Sequence, residues 1–257
     1  MSPATLPVRN SSQKIATTQS VEFALRDLFN IPVEVVCRTP ENLCDELGVL
    51  ESQLAKPMRA ARLADFGTGR VCAHEALCAL GIPATTIGVG EGREPLWPNG
   101  VVGSISHCRG IAAAAVSNDL NCLGLGLDIE PVSALERDVV RLICTDAEIA
   151  WIDEVCCKRP AVLTRCFAEI EDYQSAHLAC LLFSIKEAIF KCYFPVYRHW
   201  FEFRQATVCL SLETGSWRVE LDPQLPFAKL PDDRHLCGRF RIFAGYCLAC
   251  AVLLHSS

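Results

Sequence analysis

The chain has 257 residues and a formal charge of −6, with 51% apolar and 21% charged residues, the composition of a globule that builds its own core as one large domain or two small ones. An acidic chain with no basic stripe argues against general nucleic-acid binding, although a small phosphorylated ligand feels only the local field. No run approaches the roughly 20 apolar residues of a membrane span, and the opening MSPATLPVRNSSQK lacks the apolar core of a signal peptide, so a reducing cytoplasm is the expected compartment.

Residues 1–20 are small, polar and rich in Ser and Thr, which predicts a loose tail. A helix or strand begins near Val21. Over residues 59–80, Leu63, Phe66, Ala73, Leu77 and Leu80 can share one helical face, and Gly81 with Pro83 stops the run. Gly67 and Gly69 inside it mark either a tight packing point or a break. Turn formers crowd 88–100, which reads as loop. Three extended pieces follow, at 101–106, 111–116 and 122–129, with Ser117-Asn118-Asp119 as a turn between the last two. After Pro131 the chain is mostly helical, interrupted around Lys158-Arg159-Pro160, and 177–192 forms one helix stopped by Pro195. Residues 201–203, 207–212, 217–221 and 240–254 read as strands. The order helix, strands, helices, strands suggests two α/β halves, 21–126 and 127–257, with no close sequence repeat between them.

Sixteen cysteines are scattered without a repeating spacing. The CxxC at Cys247 and Cys250 lies in an apolar run and has no second pair or nearby histidine to complete a zinc site. Buried free thiols are the expected state.

Three segments carry chemistry. In Gly124-Leu-Gly-Leu-Asp-Ile-Glu130, strand alternation puts Asp128 and Glu130 on one side at the end of an apolar strand. Two like charges there either run out into solvent or share a cation that removes their repulsion. In Phe183-Ser-Ile-Lys-Glu-Ala-Ile-Phe-Lys191, Glu187 and Lys191 stand four apart on a helix. They form either an ordinary surface ion pair or, given the apolar Phe183, Ile185, Ile189 and Phe190, a charged face looking into a cleft. In Gly100-Val-Val-Gly-Ser-Ile-Ser-His107, the hydroxyls of Ser104 and Ser106 and the imidazole of His107 offer donors to a phosphate, or serve the structure alone. Upstream, Lys56, Arg59, Arg62 and Arg70 outnumber Asp65 and form either an anion-binding patch or a solvated helix face.

The order Arg62…Ala64-Asp-Phe…Gly69-Arg70, then Trp97-Pro98…Gly103-Ser-Ile-Ser-His107, then Gly126-Leu-Asp128-Ile-Glu130, then Phe183-Ser-Ile-Lys186-Glu187…Lys191 resembles the 4′-phosphopantetheinyl transferases. Within them it is most similar to the branch that contains the enterobactin-synthase activating component, a relative of the surfactin-synthetase activating enzymes. The resemblance covers residues 55–195. It implies an α+β fold, a pseudo-twofold pair of α/β subdomains with coenzyme A and Mg2+ in the cleft between them. By the same resemblance Asp128, Glu130 and Glu187 hold the magnesium, Glu187 and Lys191 are catalytic, and Lys191 also neutralises a phosphate. Ser106 and His107 contact coenzyme A phosphates, and Arg62 and Arg70 reach its nucleotide end. The implied partner is an apo acyl or peptidyl carrier protein of siderophore, nonribosomal peptide, polyketide or fatty-acid synthesis, served by a monomer. Phe183 stands where many relatives have Trp, and Ala188 where Ser is frequent. Two rival readings are a non-catalytic binder of coenzyme A or carrier proteins and another metal-dependent phosphotransferase. The lack of a GxxxxGK[ST] loop argues against a nucleoside-triphosphatase of that type.

Overall fold

The computed structural model of the chain describes residues 17–83, 85–168, 170, 174–231 and 233–255. Thr17 caps the first helix, α1 (Thr18–Arg26), its hydroxyl accepting from the Ser20 amide. Residues 17–20 therefore belong to the fold, and the rest of the expected tail lies outside the described residues.

The first sheet is antiparallel, in the order β1 (Glu34–Arg38), β5 (Ile111–Ser117), β4 (Val102–Cys108). β5 is buried along its whole length, and its alanine run makes that possible. Ala113 and Ala115 face the core beneath α1, while Ala114 and Val116 face α3 (Ala60–Ala79). α3 comes so close that a Cβ on Gly69 would stand 2.8 Å from Ile105; Gly69 is a packing point and the helix runs unbroken through it. A short helix, α2 (Val49–Ala55), precedes α3, with a 3-10 turn at Cys44–Glu46 before it. The expected loop over 88–100 contains a two-residue ladder between β2 (Gly88–Val89) and β3 (Pro95–Leu96).

The second sheet has β11 (Tyr246–His255) at its centre. On one side β11 pairs with β6 (Cys122–Pro131), and on the other with β10 (Phe240–Phe243) and β9 (Arg234–Cys237). Alternation along β11 divides the core. Cys247, Ala249, Ala251 and Leu253 face the long helix α7 (Ser175–Tyr197), whereas Leu248, Cys250, Val252 and Leu254 join Leu125, Leu127 and Ile129 in the cluster under α1. The CxxC thus has its two sulfurs on opposite faces of one strand. Helices α4 (Arg137–Ile143), α5 (Asp146–Lys158) and α6 (Ala161–Cys166), a hairpin of β7 (Ala206–Ser211) and β8 (Ser216–Leu221), and the 3-10 turn Phe203–Gln205 complete the molecule. Among the described residues no helix is long and apolar enough to cross a membrane.

Several expectations change. β1 and β9 escape the sequence reading because each is only four or five residues long and opens on charged or polar side chains. The strand expected over 201–203 is irregular and leads into the 3-10 turn, and 240–254 is a hairpin turned at Ala244 and Gly245, both at positive φ. Pro195 does not stop α7: it lies in the last turn, where its missing N–H forfeits a single ladder bond, and the helix ends at left-handed Arg198. The fold is α+β, and residue 127, the expected seam, lies in the middle of β6.

The two sheets meet where β4 lies against β6. The Ser104 hydroxyl donates to the Leu127 carbonyl at 3.4 Å, and the Ile129 amide donates to Ser106 Oγ at 3.3 Å. The functional side chains gather at this junction.

Candidate active site

Along β6 the side chains alternate. Leu125, Leu127 and Ile129 fill the core, while Gly124, Gly126, Asp128 and Glu130 look the other way, the glycines directly onto α7. A Cβ on Gly126 would run into the Ala188 carbonyl, and one on Gly124 would crowd the Cys192 carbonyl. The missing side chains let α7 settle on the strand, and the turn of α7 that touches them also carries Glu187 and Lys191.

Asp128 is 2% exposed. Its Oδ1 accepts from the Ser106 hydroxyl at 2.9 Å and from Lys191 Nζ at 2.7 Å. Lys191 also donates to Ser106 Oγ at 3.2 Å, so strand β4, strand β6 and helix α7 are laced together at one carboxylate. The other oxygen, Oδ2, is buried with no hydrogen-bond partner among the described residues. A buried carboxylate oxygen is costly unless something positive or protic reaches it.

The neighbouring acids register the same excess of negative charge. Burial and the adjacent Asp128 push the Glu130 carboxyl up to about 7. Burial also raises Glu187, with Lys191 opposing and Asp128 adding to the rise. Burial alone would lower Lys191, but Asp128 and Glu187 outweigh it and hold the ammonium above its ordinary range. Three carboxylates thus share one lysine. Among the described residues no three His, Cys, Asp or Glu side chains form a ready cage for a metal ion; Lys191 lies on the Asp128 oxygen that faces Ser106. Mg2+ takes few protein carboxylates and completes its shell with phosphate oxygens and water. The orphaned Oδ2 and the surplus acids suit an ion that arrives with an anionic substrate.

His107, at the next position of β4, turns toward α3. Arg62 Nη1 lies 2.6 Å from His107 Nε2, and Asp65 Oδ2 lies 3.7 Å from Nδ1. Burial lowers the imidazole pKa, with Arg62 and Lys191 reinforcing and Asp65 opposing. Arg62 is exposed and free to reach a ligand from this position.

Arg70 does not join the group. It is 4% exposed, donates to the carbonyls of Ile87 at 2.9 Å and Gly88 at 3.3 Å, and lies over the Phe66 ring at 5.1 Å. Its guanidinium holds the 87–88 backbone against α3, away from the cluster around Asp128. The structure brings Ser106, Asp128 and Lys191 into contact, sets Glu130 and Glu187 in their electrostatic field, and places His107 and Arg62 beside them. Sequence reasoning missed two contributors. Gly126 shares the alternation of Asp128, which is the signal that it faces the helix. Asp65 stands three residues after Arg62 on α3 and was counted only as a charge.

Two family comparisons cover most of the chain. Residues 50–117 match the 4′-phosphopantetheinyl transferase N-terminal domain, and residues 124–251 match the 4′-phosphopantetheinyl transferase superfamily. The chain is 34% identical over 160 residues to the 4′-phosphopantetheinyl transferase Svp of Streptomyces mobaraensis, covering 62% of this chain and 59% of that protein. It is 34% identical over 166 residues to the 4′-phosphopantetheinyl transferase Npt of Nocardia iowensis, covering 65% and 67% respectively. Enterobactin synthase component D of Escherichia coli K12 is 34% identical over 116 residues, 42% of this chain and 52% of that protein.

Proposed function

This chain belongs to the 4′-phosphopantetheinyl transferase superfamily, and on that footing we propose that it moves the 4′-phosphopantetheine arm of coenzyme A onto a serine of an apo acyl or peptidyl carrier protein. The observation that carries the reading is Asp128: one oxygen held by Ser106 and Lys191, the other buried and unsatisfied, where the two sheets meet. The serine oxygen attacks the phosphorus that bears the pantetheine arm, the phosphoanhydride bond breaks, and adenosine 3′,5′-bisphosphate leaves.

Asp128, Glu130 and Glu187 are the residues that would hold Mg2+. When bound, the cation polarises the pyrophosphate and offsets charge on the leaving group. Lys191 contributes a fixed positive charge beside the reacting phosphate. Glu187 takes the serine proton, since it lies one helical turn from Lys191 on the face that meets β6. Ser106 orients Asp128 and Lys191, and His107 with Arg62 binds coenzyme A phosphates. The reading includes cytoplasmic action and a siderophore-type peptide synthetase carrier, for which the similarity to enterobactin synthase component D is the support.

The test incubates the purified protein with coenzyme A, Mg2+ and a panel of apo carrier proteins, weighed intact by mass spectrometry. One phosphopantetheine added to a carrier, and abolished by EDTA, is the expected result. A protein that binds coenzyme A yet modifies no carrier in the panel overturns the transferase reading in favour of a non-catalytic binder.

A further inference from the structure

The contacts of His107 assign a proton. Arginine only donates, and Arg62 Nη1 lies 2.6 Å from Nε2. Nε2 must therefore present its lone pair, which leaves the imidazole neutral with its hydrogen on Nδ1. The group facing that hydrogen is the Asp65 carboxylate, at 3.7 Å. This separation is longer than a hydrogen bond, in the loose range that contacts in ligand-free sites commonly show before they tighten. Both partners come from α3, where Arg62 and Asp65 are three residues apart and face the same point on β4. The other charged groups that bear on the ring are Lys191 from α7 and Asp128 from β6.

We propose that Asp65 is a positioning residue for His107: it holds the ring with its proton on Nδ1, and it steadies the doubly protonated ring once an anionic phosphate draws Arg62 away and Nε2 takes up a proton from solvent. The role of the phosphate rests on the proposed function; the tautomer rests on geometry alone. In the free protein Arg62 and His107 satisfy each other. When the phosphate arrives, Arg62 follows it, and a ring left without Asp65 is free to turn or to change tautomer. Asp65 is 30% exposed at its side chain, so its replacement leaves the core untouched.

The experiment labels the histidines with 15N and reads the ring nitrogens of His107, identified by their loss in His107→Gln, in the wild type, in Arg62→Ala, and in Arg62→Ala combined with Asp65→Ala or with Asp65→Asn. The wild type should show a neutral ring with the hydrogen on Nδ1. Arg62→Ala, in which Asp65 alone faces the ring, should keep that preference; adding Asp65→Ala should lose it, and adding Asp65→Asn, whose amide oxygen still accepts, should keep most of it. In turnover, KM for coenzyme A should rise about tenfold in Asp65→Ala, the lower end of the loss seen when the partner of a metal-binding histidine is removed. kcat should stay within about twofold, because the reacting atoms are untouched. Unchanged ring signals on adding Asp65→Ala to Arg62→Ala, or a fall in kcat with KM unmoved in Asp65→Ala alone, overturn the proposal. The ring measurement involves no turnover, so a failure of the transferase reading is seen separately.

Discussion

Asp128 shows how one side chain is made to do two things. Its Oδ1 is fully engaged by Ser106 and Lys191, which fixes the carboxylate in place, and that anchoring leaves Oδ2 without a partner among the described residues. Glu187 tests whether the surplus negative charge is for catalysis. Glu187→Gln preserves volume and removes only the charge. The rate of carrier modification should fall by about a hundredfold or more, the range for loss of a general base. The thermal midpoint should hold or rise, since burial, the largest influence on this half-buried carboxyl, disfavours its charged form, and the repulsion from Asp128 works against the attraction of Lys191. Initial rates by mass spectrometry and a melting curve on the same preparation check both halves. At this scale the sequence was informative where local rules reach. Strand alternation put Asp128 and Glu130 together, and helix spacing put Glu187 with Lys191. The orphaned Oδ2 was not legible, because Ser106 arrives from another strand and no local pattern says which oxygen it takes. The setting of Arg70 was not legible for the same reason: its charge was visible in the sequence, while the Ile87 and Gly88 carbonyls that receive it were not.

Helix α7 and strand β6 work as a matched pair, and the match is made of absences. Gly126→Ala would drive a methyl into the Ala188 carbonyl, which is backbone and cannot swing aside. Overpacking of this kind costs about 1–3 kcal/mol. It would also lift Glu187 and Lys191 from Asp128, so activity should fall further than stability. Urea unfolding alongside initial rates measures the two separately. The opposite face of α7 is anchored by Lys186, 1% exposed, which donates to Glu148 at 2.7 Å and to the carbonyls of Ile143 and Phe203. Glu148 in turn accepts from the amides of Val208 and Thr145. Lys186→Met leaves a buried carboxylate without its countercharge and should cost about 3–5 kcal/mol, while Lys186→Met with Glu148→Leu should recover part of the loss. Urea midpoints of the single and double variants decide. The length of α7 was legible as far as Cys192, where the apolar period is strong. Its last turn was not, since Pro195 is tolerated near a helix end whose tertiary packing is already made: Tyr193, Tyr197 and Phe227 stack there.

At the scale of the whole molecule, most of the described cysteines behave as core rather than as chemistry. Cys37, Cys72, Cys122, Cys144, Cys180, Cys192, Cys247 and Cys250 are buried free thiols, but Cys78, Cys157 and Cys209 are exposed, which narrows the expectation of burial. Burial pushes the thiols of Cys72 and Cys144 up to about 12. A maleimide reagent at neutral pH should modify Cys78, Cys157 and Cys209 first and leave the buried set intact until urea is added; intact mass and peptide mapping read this directly. The alternation of apolar strands and helices conveyed the α+β class, but the pairing of strands did not show in it, because partners lie far apart in the chain. β6 ends at Pro131, and the strand that completes its ladder begins at Tyr246. That separation has a consequence for the order of assembly. Every proposed functional residue, from Arg62 to Lys191, leaves the ribosome before β11 does, yet β6 has no ladder to lie in until β11 is inserted between it and its other neighbours. Closing so long a span is entropically slow compared with forming a helix or a hairpin. A nascent chain halted before Tyr246 carries all the proposed functional groups but lacks the strand that sets Asp128 and Glu130 in their ladder, so competence is acquired in one late step rather than by degrees.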